Sequence, residues 1–166
     1  MRLKIFALLL TLCASFTAAA GPSEHGVLPA TQNLAALAEQ ARERRLPILV
    51  MFSQRGCPYC TIVEEEFLEP MMRSGDYRDK VIMRRVMVDS FTPITDFDGE
   101  EVEANAFASR YRGYVTPTVV FLDARGRQLA PPVVGITTVD FYGGKLDAAI
   151  EESLSRLRPQ ASLSAP

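Results

Sequence analysis

Stretches of helical periodicity are separated by short runs of continuously apolar residues along most of this chain. Between positions 34 and 41, leucine and alanine recur at the spacing of one helix face, and Ile48 to Phe52 follow as an unbroken apolar run. Such a run is typical of a strand that is buried on both faces, as in a sheet covered by helices. The pattern therefore predicts an α/β domain.

The pattern predicts elements in the order helix, strand, helix, strand, helix, strand, strand, helix. The last two strands form a hairpin, so the central sheet is expected to be mixed, with helices on both faces. Thr31 is expected to cap the first helix, and Pro70 to kink or end the second. The predicted helices span 31–45, 57–68, 101–112 and 138–158, the predicted strands span 48–52, 81–88, 118–122 and 128–135, and a loop spans 90–99.

The first twenty residues have the three-part layout of a secretory signal peptide. Arg2 and Lys4 supply a positive start, residues 5–16 are almost all apolar, and small residues lead up to Ala20. The apolar run of about 12 residues is shorter than the ~20 needed to span a bilayer, which disfavours a membrane anchor. We expect residues 1–20 to be a signal peptide, 21–30 a flexible leader, 31–158 the folded domain and 159–166 a mobile tail.

The length of the chain indicates one domain, and its charge disfavours a nucleic-acid-binding protein. The 166 residues suffice for one domain with its own hydrophobic core. The formal net charge of −2 becomes more negative once Arg2 and Lys4 leave with the signal peptide. Nucleic-acid-binding domains need a basic surface to neutralise phosphates, so nucleic acid is not expected as a partner.

Two cysteines remain after Cys13 leaves with the signal peptide, and they are close together at Cys57 and Cys60. A disulfide that closes so short a loop contributes little stability, so redox exchange or metal binding is the expected use. Structural zinc needs four ligands, and the remaining chain adds only His25 from the leader. Copper(I) accepts two thiolates, so a periplasmic copper- or metal-binding or delivery module is the alternative function.

The motif Cys57-Pro58-Tyr59-Cys60 follows a buried strand and opens a helix. Unpaired N–H groups at a helix start favour an anion, which lowers the pKa of a thiol placed there. Pro58 suits the first helical position, where no N–H is needed. Cys57 is therefore predicted to be the attacking thiol, and Cys60, one turn later, the resolving thiol.

The chain resembles the thioredoxin superfamily over residues 31–157. The resemblance rests on the strand at 48–52, the Cys57-to-Cys60 motif, and Thr116-Pro117-Thr118 before another buried strand. The motif's acidic helix and the loop at 90–99 are most similar to those of the periplasmic SoxW-like thioredoxin-related proteins. The resemblance implies a thioredoxin fold and thiol-disulfide oxidoreductase activity that needs no cofactor besides the Cys57–Cys60 disulfide.

The resemblance also implies a substrate groove and partners. Pro117 is expected to be a cis proline facing the cysteines, and the Thr116 backbone to pair with a substrate strand, while Pro58 and Tyr59 border the same groove. The expected partners are thiols and disulfides of periplasmic proteins, together with a membrane electron donor that keeps the protein reduced. The protein is expected to be a monomer and to act as a reductase rather than as an oxidant.

Two departures from the family pattern affect the proton chemistry. Thioredoxins carry a buried Asp six residues before the first cysteine, and Met51 occupies that place here. Arg85 stands about where thioredoxins have a Lys, where it either lowers the thiol pKa values or forms a solvated strand end. The acidic run at 64–66 is expected to be a solvated helix face, although one of its carboxylates could replace the missing Asp as a proton relay.

Overall fold

The computed structural model describes residues 27–158, so the predicted signal peptide, residues 21–26 and the predicted tail lie outside the described residues. A four-stranded sheet in the order β2-β1-β5-β6 forms the centre. Its strands are β1 (Ile48–Ser53), β2 (Ile82–Met87), β5 (Thr118–Leu122) and β6 (Gln128–Val134). β1 and β2 are parallel, and the remaining pairs are antiparallel. The predicted mixed sheet is confirmed.

Helices cover both faces of this sheet, because alternate residues of each strand point to opposite sides. Met51 packs with Cys60 and Tyr142 on one face, whereas Phe52 packs with Phe107 on the other. The helices are α1 (Leu34–Arg44), α2 (Pro58–Val63), α3 (Glu69–Ser74), α4 (Ala104–Arg110) and α5 (Val139–Leu157). The predicted α/β class with two helical layers is therefore confirmed. No helix within residues 27–158 combines the length and apolar character that a bilayer crossing requires.

The prediction that Pro70 kinks or ends the helix after the cysteine motif is wrong as to an end, because the helix continues past Pro70. A π-helical turn, Glu64–Leu68, joins α2 to α3, and α3 continues to Ser74. Pro70 lies in the first turn of α3, where a helix tolerates a residue without an N–H. The wider π turn therefore lets the chain pass a proline without breaking the helix.

The region between β2 and α4 also differs from its prediction. β3 (Ile94–Thr95) and β4 (Glu101–Val102) form a small antiparallel hairpin inside the predicted loop and helix. Because Glu101 and Val102 pair with β3, α4 begins only at Ala104. Such two-residue strands have too few positions to show a period in the sequence.

The start of the domain lies earlier in the chain than predicted. Leu28 is fully buried in the core, and the Pro29 carbonyl accepts a hydrogen bond of 2.8 Å from the Arg85 N–H. The Thr31 N–H in turn donates to the Arg85 carbonyl. Residues 28–30 are therefore held against β2, and the prediction of a flexible leader is wrong for them. The helix cap is Asn33, whose Oδ1 accepts from the Ala36 N–H, and not Thr31.

Candidate active site

The cysteine motif begins where β1 leaves the sheet. The chain turns through Gln54, Arg55 and Gly56, and Gly56 has a φ of 66°, a conformation that favours glycine. Cys57 is the N-cap of α2, and its Sγ accepts a hydrogen bond of 3.1 Å from the Cys60 N–H. Pro58 follows in the first helical turn. The sulfur of Cys57 therefore lies at the helix N-terminus, where the unpaired N–H groups stabilise an anion.

Cys57 and Cys60 form a disulfide with a Cα–Cα distance of 5.3 Å. The two residues differ in exposure: Cys57 is partly exposed, whereas Cys60 is only 2% exposed and belongs to the core. A partner sulfur can therefore approach Cys57 much more easily than Cys60. This asymmetry matches an exchange reaction that begins and ends at Cys57.

The loop before β5 lies beside the disulfide. The Thr116–Pro117 peptide bond is cis, and the Thr116 hydroxyl lies 3.7 Å from the Cys57 sulfur, within hydrogen-bonding range for sulfur. The Pro117 carbonyl accepts from the Gly135 N–H at 2.8 Å, which ties the loop to the end of β6. The structure thus brings Thr116 and Cys57 together, although they are far apart in sequence.

Exposed apolar side chains lie between the two cysteines and directly before Thr116 in the sequence. Tyr59, between the cysteines, is 60% exposed, and Val115, just before Thr116, is 45% exposed. Pro58 is exposed as well. Such side chains can contact the backbone and side chains of a partner protein while its disulfide meets Cys57.

An open cavity of about 610 Å³ lies against the disulfide and is lined by Cys57, Cys60, Ser53, Glu64 and Arg85, among others. Arg85 is ion-paired with Glu64 through Nη1 and Oε2. Glu64 is 8% exposed, so the predicted solvated face is wrong for this residue, while Glu65 and Glu66 are exposed as expected. Arg85 is therefore not a freely solvated strand-end charge but the partly exposed member of an ion pair with the buried Glu64 beside the cysteines.

Residues 34–150 match the family model of the thioredoxin-like domain. The chain belongs to the thioredoxin-like family. The family and the Cys57–Cys60 disulfide together make the protein a thioredoxin-like thiol-disulfide oxidoreductase. Within residues 27–158, histidine, cysteine and acidic side chains do not gather in a group of three that could hold a metal ion.

Solved structures share the fold at low sequence identity. The DsbH oxidoreductase is 18% identical with a TM-score of 0.56, over 76% of this chain and 88% of that one. A mutant thioredoxin from Halobacterium salinarum is 21% identical with a TM-score of 0.51, over 78% of this chain and 96% of that one. No curated protein sequence matches the chain significantly. These structural likenesses support the thioredoxin fold predicted from the sequence.

Proposed function

We propose that this protein is an exported, monomeric reductase that transfers electrons from the Cys57–Cys60 dithiol to disulfides of periplasmic proteins. The observation that carries the proposal is the unequal exposure of Cys57 and Cys60 at the start of one helix. Cys57 is accessible and has the Thr116 hydroxyl beside it, whereas Cys60 is buried directly behind it. Cys57 can therefore attack a partner disulfide, and Cys60 can then release the partner from Cys57.

The reaction consumes the dithiol, so its balance requires a reductant. The Cys57 thiolate attacks one sulfur of the partner disulfide, and the other partner sulfur leaves as a thiolate. Cys60 then attacks Cys57, which releases the second partner thiolate and forms the Cys57–Cys60 disulfide. Two electrons pass to the partner in each cycle, and a membrane electron donor is proposed to return them. The reducing direction rests on the resemblance to SoxW-like proteins.

The reduction potential of the Cys57/Cys60 pair tests the direction. The purified exported protein is equilibrated in buffers of known ratio of reduced to oxidised dithiothreitol, its thiols are trapped with a maleimide, and the trapped fraction is measured by mass. We expect a value near about −270 mV, which is typical of thioredoxin. A value near about −120 mV, as in DsbA, would make the protein an oxidant and contradict the proposal.

Export is tested separately on the protein isolated from the periplasm. The charged start, the apolar run and the small residues before Gly21 motivate the expectation that residues 1–20 are removed. Mass spectrometry is expected to find Gly21 at the N-terminus. A full-length chain beginning with Met1 and held in the membrane fraction would contradict export by cleavage.

A further inference from the structure

Cys60 has to lose a proton in a place where the thiolate is disfavoured. The thiolate is the form that attacks a mixed disulfide, and burial disfavours a charged sulfur. Cys60 is 2% exposed and packs in the same core as Met51, which is fully buried and has no group that accepts a proton. The reaction therefore needs a proton acceptor that reaches Cys60 from another element.

Glu64 lies in the right place to be that acceptor. It follows Cys60 by four residues, so the two side chains share one face of the helix. The Glu64 side chain retains only 10% of its exposure and lines the cavity that both cysteines line. Among the described residues that line this cavity, it is the only carboxylate.

Side chains from two strands, β1 and β2, contact the Glu64 carboxylate. Arg85 on β2 is the register partner of Met51 on β1, so both side chains point to the face that the helix covers. Ser53, two residues after Met51, points to that face as well, and its hydroxyl donates to Glu64 Oε1 at 3.2 Å. Arg85 Nη1 binds Glu64 Oε2. A carboxylate buried with a counter-charge and a hydroxyl donor costs far less than an unpaired one.

The α-helical period explains why this carboxylate is buried although its neighbours are not, because Glu64 lies on the same helix face as Cys60 and Val63, which are both buried. Glu64 begins the π-helical turn that joins α2 to α3. π turns add a residue to the helix and are frequent at functional sites. Glu65 and Glu66 remain exposed on the same turn. The buried carboxylate is thus supplied by the helix that covers the sheet, on the same face to which Met51 points.

We propose that Glu64 is the proton acceptor of Cys60 during release of the partner. This inference rests on the proposed exchange reaction and adds its proton step. With the partner held as a mixed disulfide on Cys57, Glu64 takes the proton of the Cys60 thiol. The Cys60 thiolate attacks the Cys57 sulfur, the Cys57–partner S–S bond breaks, and the electron pair leaves with the partner sulfur. The partner thiolate is protonated by water, and Glu64 returns its proton to solvent through the cavity.

The test compares Glu64→Gln with Glu65→Gln, an exposed control of the same chemistry on the same turn. The reduced proteins are mixed with a peptide disulfide that carries a fluorophore, and partner release is followed by stopped flow between pH 5 and pH 9. General base catalysis contributes at least about 100-fold, so Glu64→Gln is expected to slow release about 100-fold near pH 7. Its release rate is expected to rise with pH as the Cys60 thiol ionises unaided. Glu65→Gln is expected to match the unchanged protein.

Additional measurements separate proton transfer from loss of structure and from failure of the proposed function. Glu64→Asp keeps a carboxylate and is expected to recover much of the release rate. The first attack is measured in a Cys60→Ser background. There Glu64→Gln is expected to change the rate of mixed-disulfide formation less than about 3-fold, because general base catalysis by Glu64 acts only in the later release step. Equal release rates and pH profiles for Glu64→Gln and Glu65→Gln would overturn the inference. Equal losses in Glu64→Gln and Glu64→Asp without a change of pH profile would reduce Glu64 to a structural ion pair. A Cys60→Ser variant that never forms a mixed disulfide would instead refute the proposed function.

Discussion

The Cys57→Ser variant is expected to reduce protein disulfides no faster than the reaction without protein. Cys57 is the partly exposed sulfur at the N-cap of α2, and a serine hydroxyl at this place does not attack disulfides. Cys60 cannot substitute for it, because the residue is only 2% exposed. The loss is measured as the rate of reduction of a protein disulfide with dithiothreitol as the electron source.

The Cys60→Ser variant is expected to fail at a different step. Its Cys57 still attacks a partner disulfide, but no second thiol is present to resolve the product. Partners should therefore accumulate as mixed disulfides, visible by mass spectrometry and on gels run without reductant. Thr61→Ser, a change at the exposed neighbour of Cys60, serves as the matched control and should keep full activity. If iodoacetamide instead modifies Cys60 alone at neutral pH, the two roles are reversed.

The cysteines and the Thr116–Pro117 loop could be predicted because their signals are local. A buried strand, a turn and a helix start follow one another within residues 48–60, and each has its own sequence pattern. The second half of the site is a proline directly before another continuously apolar strand. What the chain alone could not give is the 3.7 Å approach of Thr116 to Cys57, which depends on the antiparallel pairing of β1 and β5.

Glu64 shows where prediction from the sequence fails. Three consecutive glutamates have the pattern of a solvated helix face, and two of the three are indeed exposed. The exception follows the α-helical period, because Glu64 lies four residues after the buried Cys60 and one residue after the buried Val63. It also depends on Arg85, whose approach is fixed by the parallel register of β1 and β2. The spacing from Cys60 to Glu64 is readable in the sequence, whereas the strand register that brings Arg85 to Glu64 leaves no periodic signal in the chain.

Phe52 illustrates the same limit on the opposite face of the sheet. The apolar run predicts that Phe52 is buried, and it is fully buried. The run does not reveal that its ring lies 6.0 Å from the ring of Phe107 and 6.2 Å from that of Tyr111. Burial raises the pKa of Tyr111 to about 12, and its hydroxyl donates to the Gly126 carbonyl. The aromatic cluster thus connects β1, α4 and the turn before β6.

The second large expected effect is on stability: Phe52→Ala is expected to lower the free energy of unfolding by about 3–5 kcal/mol. The substitution removes the ring that Phe107 and Tyr111 contact and leaves a cavity beside the strand that leads into the cysteine turn. Denaturant unfolding of the oxidised protein measures the loss. A loss below about 1 kcal/mol would show that the cluster relaxes into the space and that Phe52 is not a packing centre.

Gly113 provides an independent test of the same packing. A methyl group at Gly113 would collide with Cδ2 of Phe52 and lie 2.8 Å from Cε2 of the same ring. The Gly113 N–H donates a hydrogen bond to the Ala108 carbonyl. A shift of the backbone away from the Phe52 ring would therefore break this hydrogen bond. Gly113→Ala is therefore expected to cost about 1–3 kcal/mol in the unchanged protein. Gly144→Ala, in open space on α5, is the control and should be neutral or stabilising, since alanine favours a helix.

The double variant decides whether the Phe52 ring causes the cost at Gly113. In the Phe52→Ala background the methyl group has room, so Gly113→Ala is expected to become neutral or to restore part of the lost stability. The coupling between the two changes should then be about 1–3 kcal/mol, within the range of about 0.5–3 kcal/mol for residues in direct contact. The Gly144→Ala change should show no such coupling with Phe52→Ala. If Gly113→Ala costs the same in both backgrounds, the glycine is required for its backbone and not for the approach of the ring.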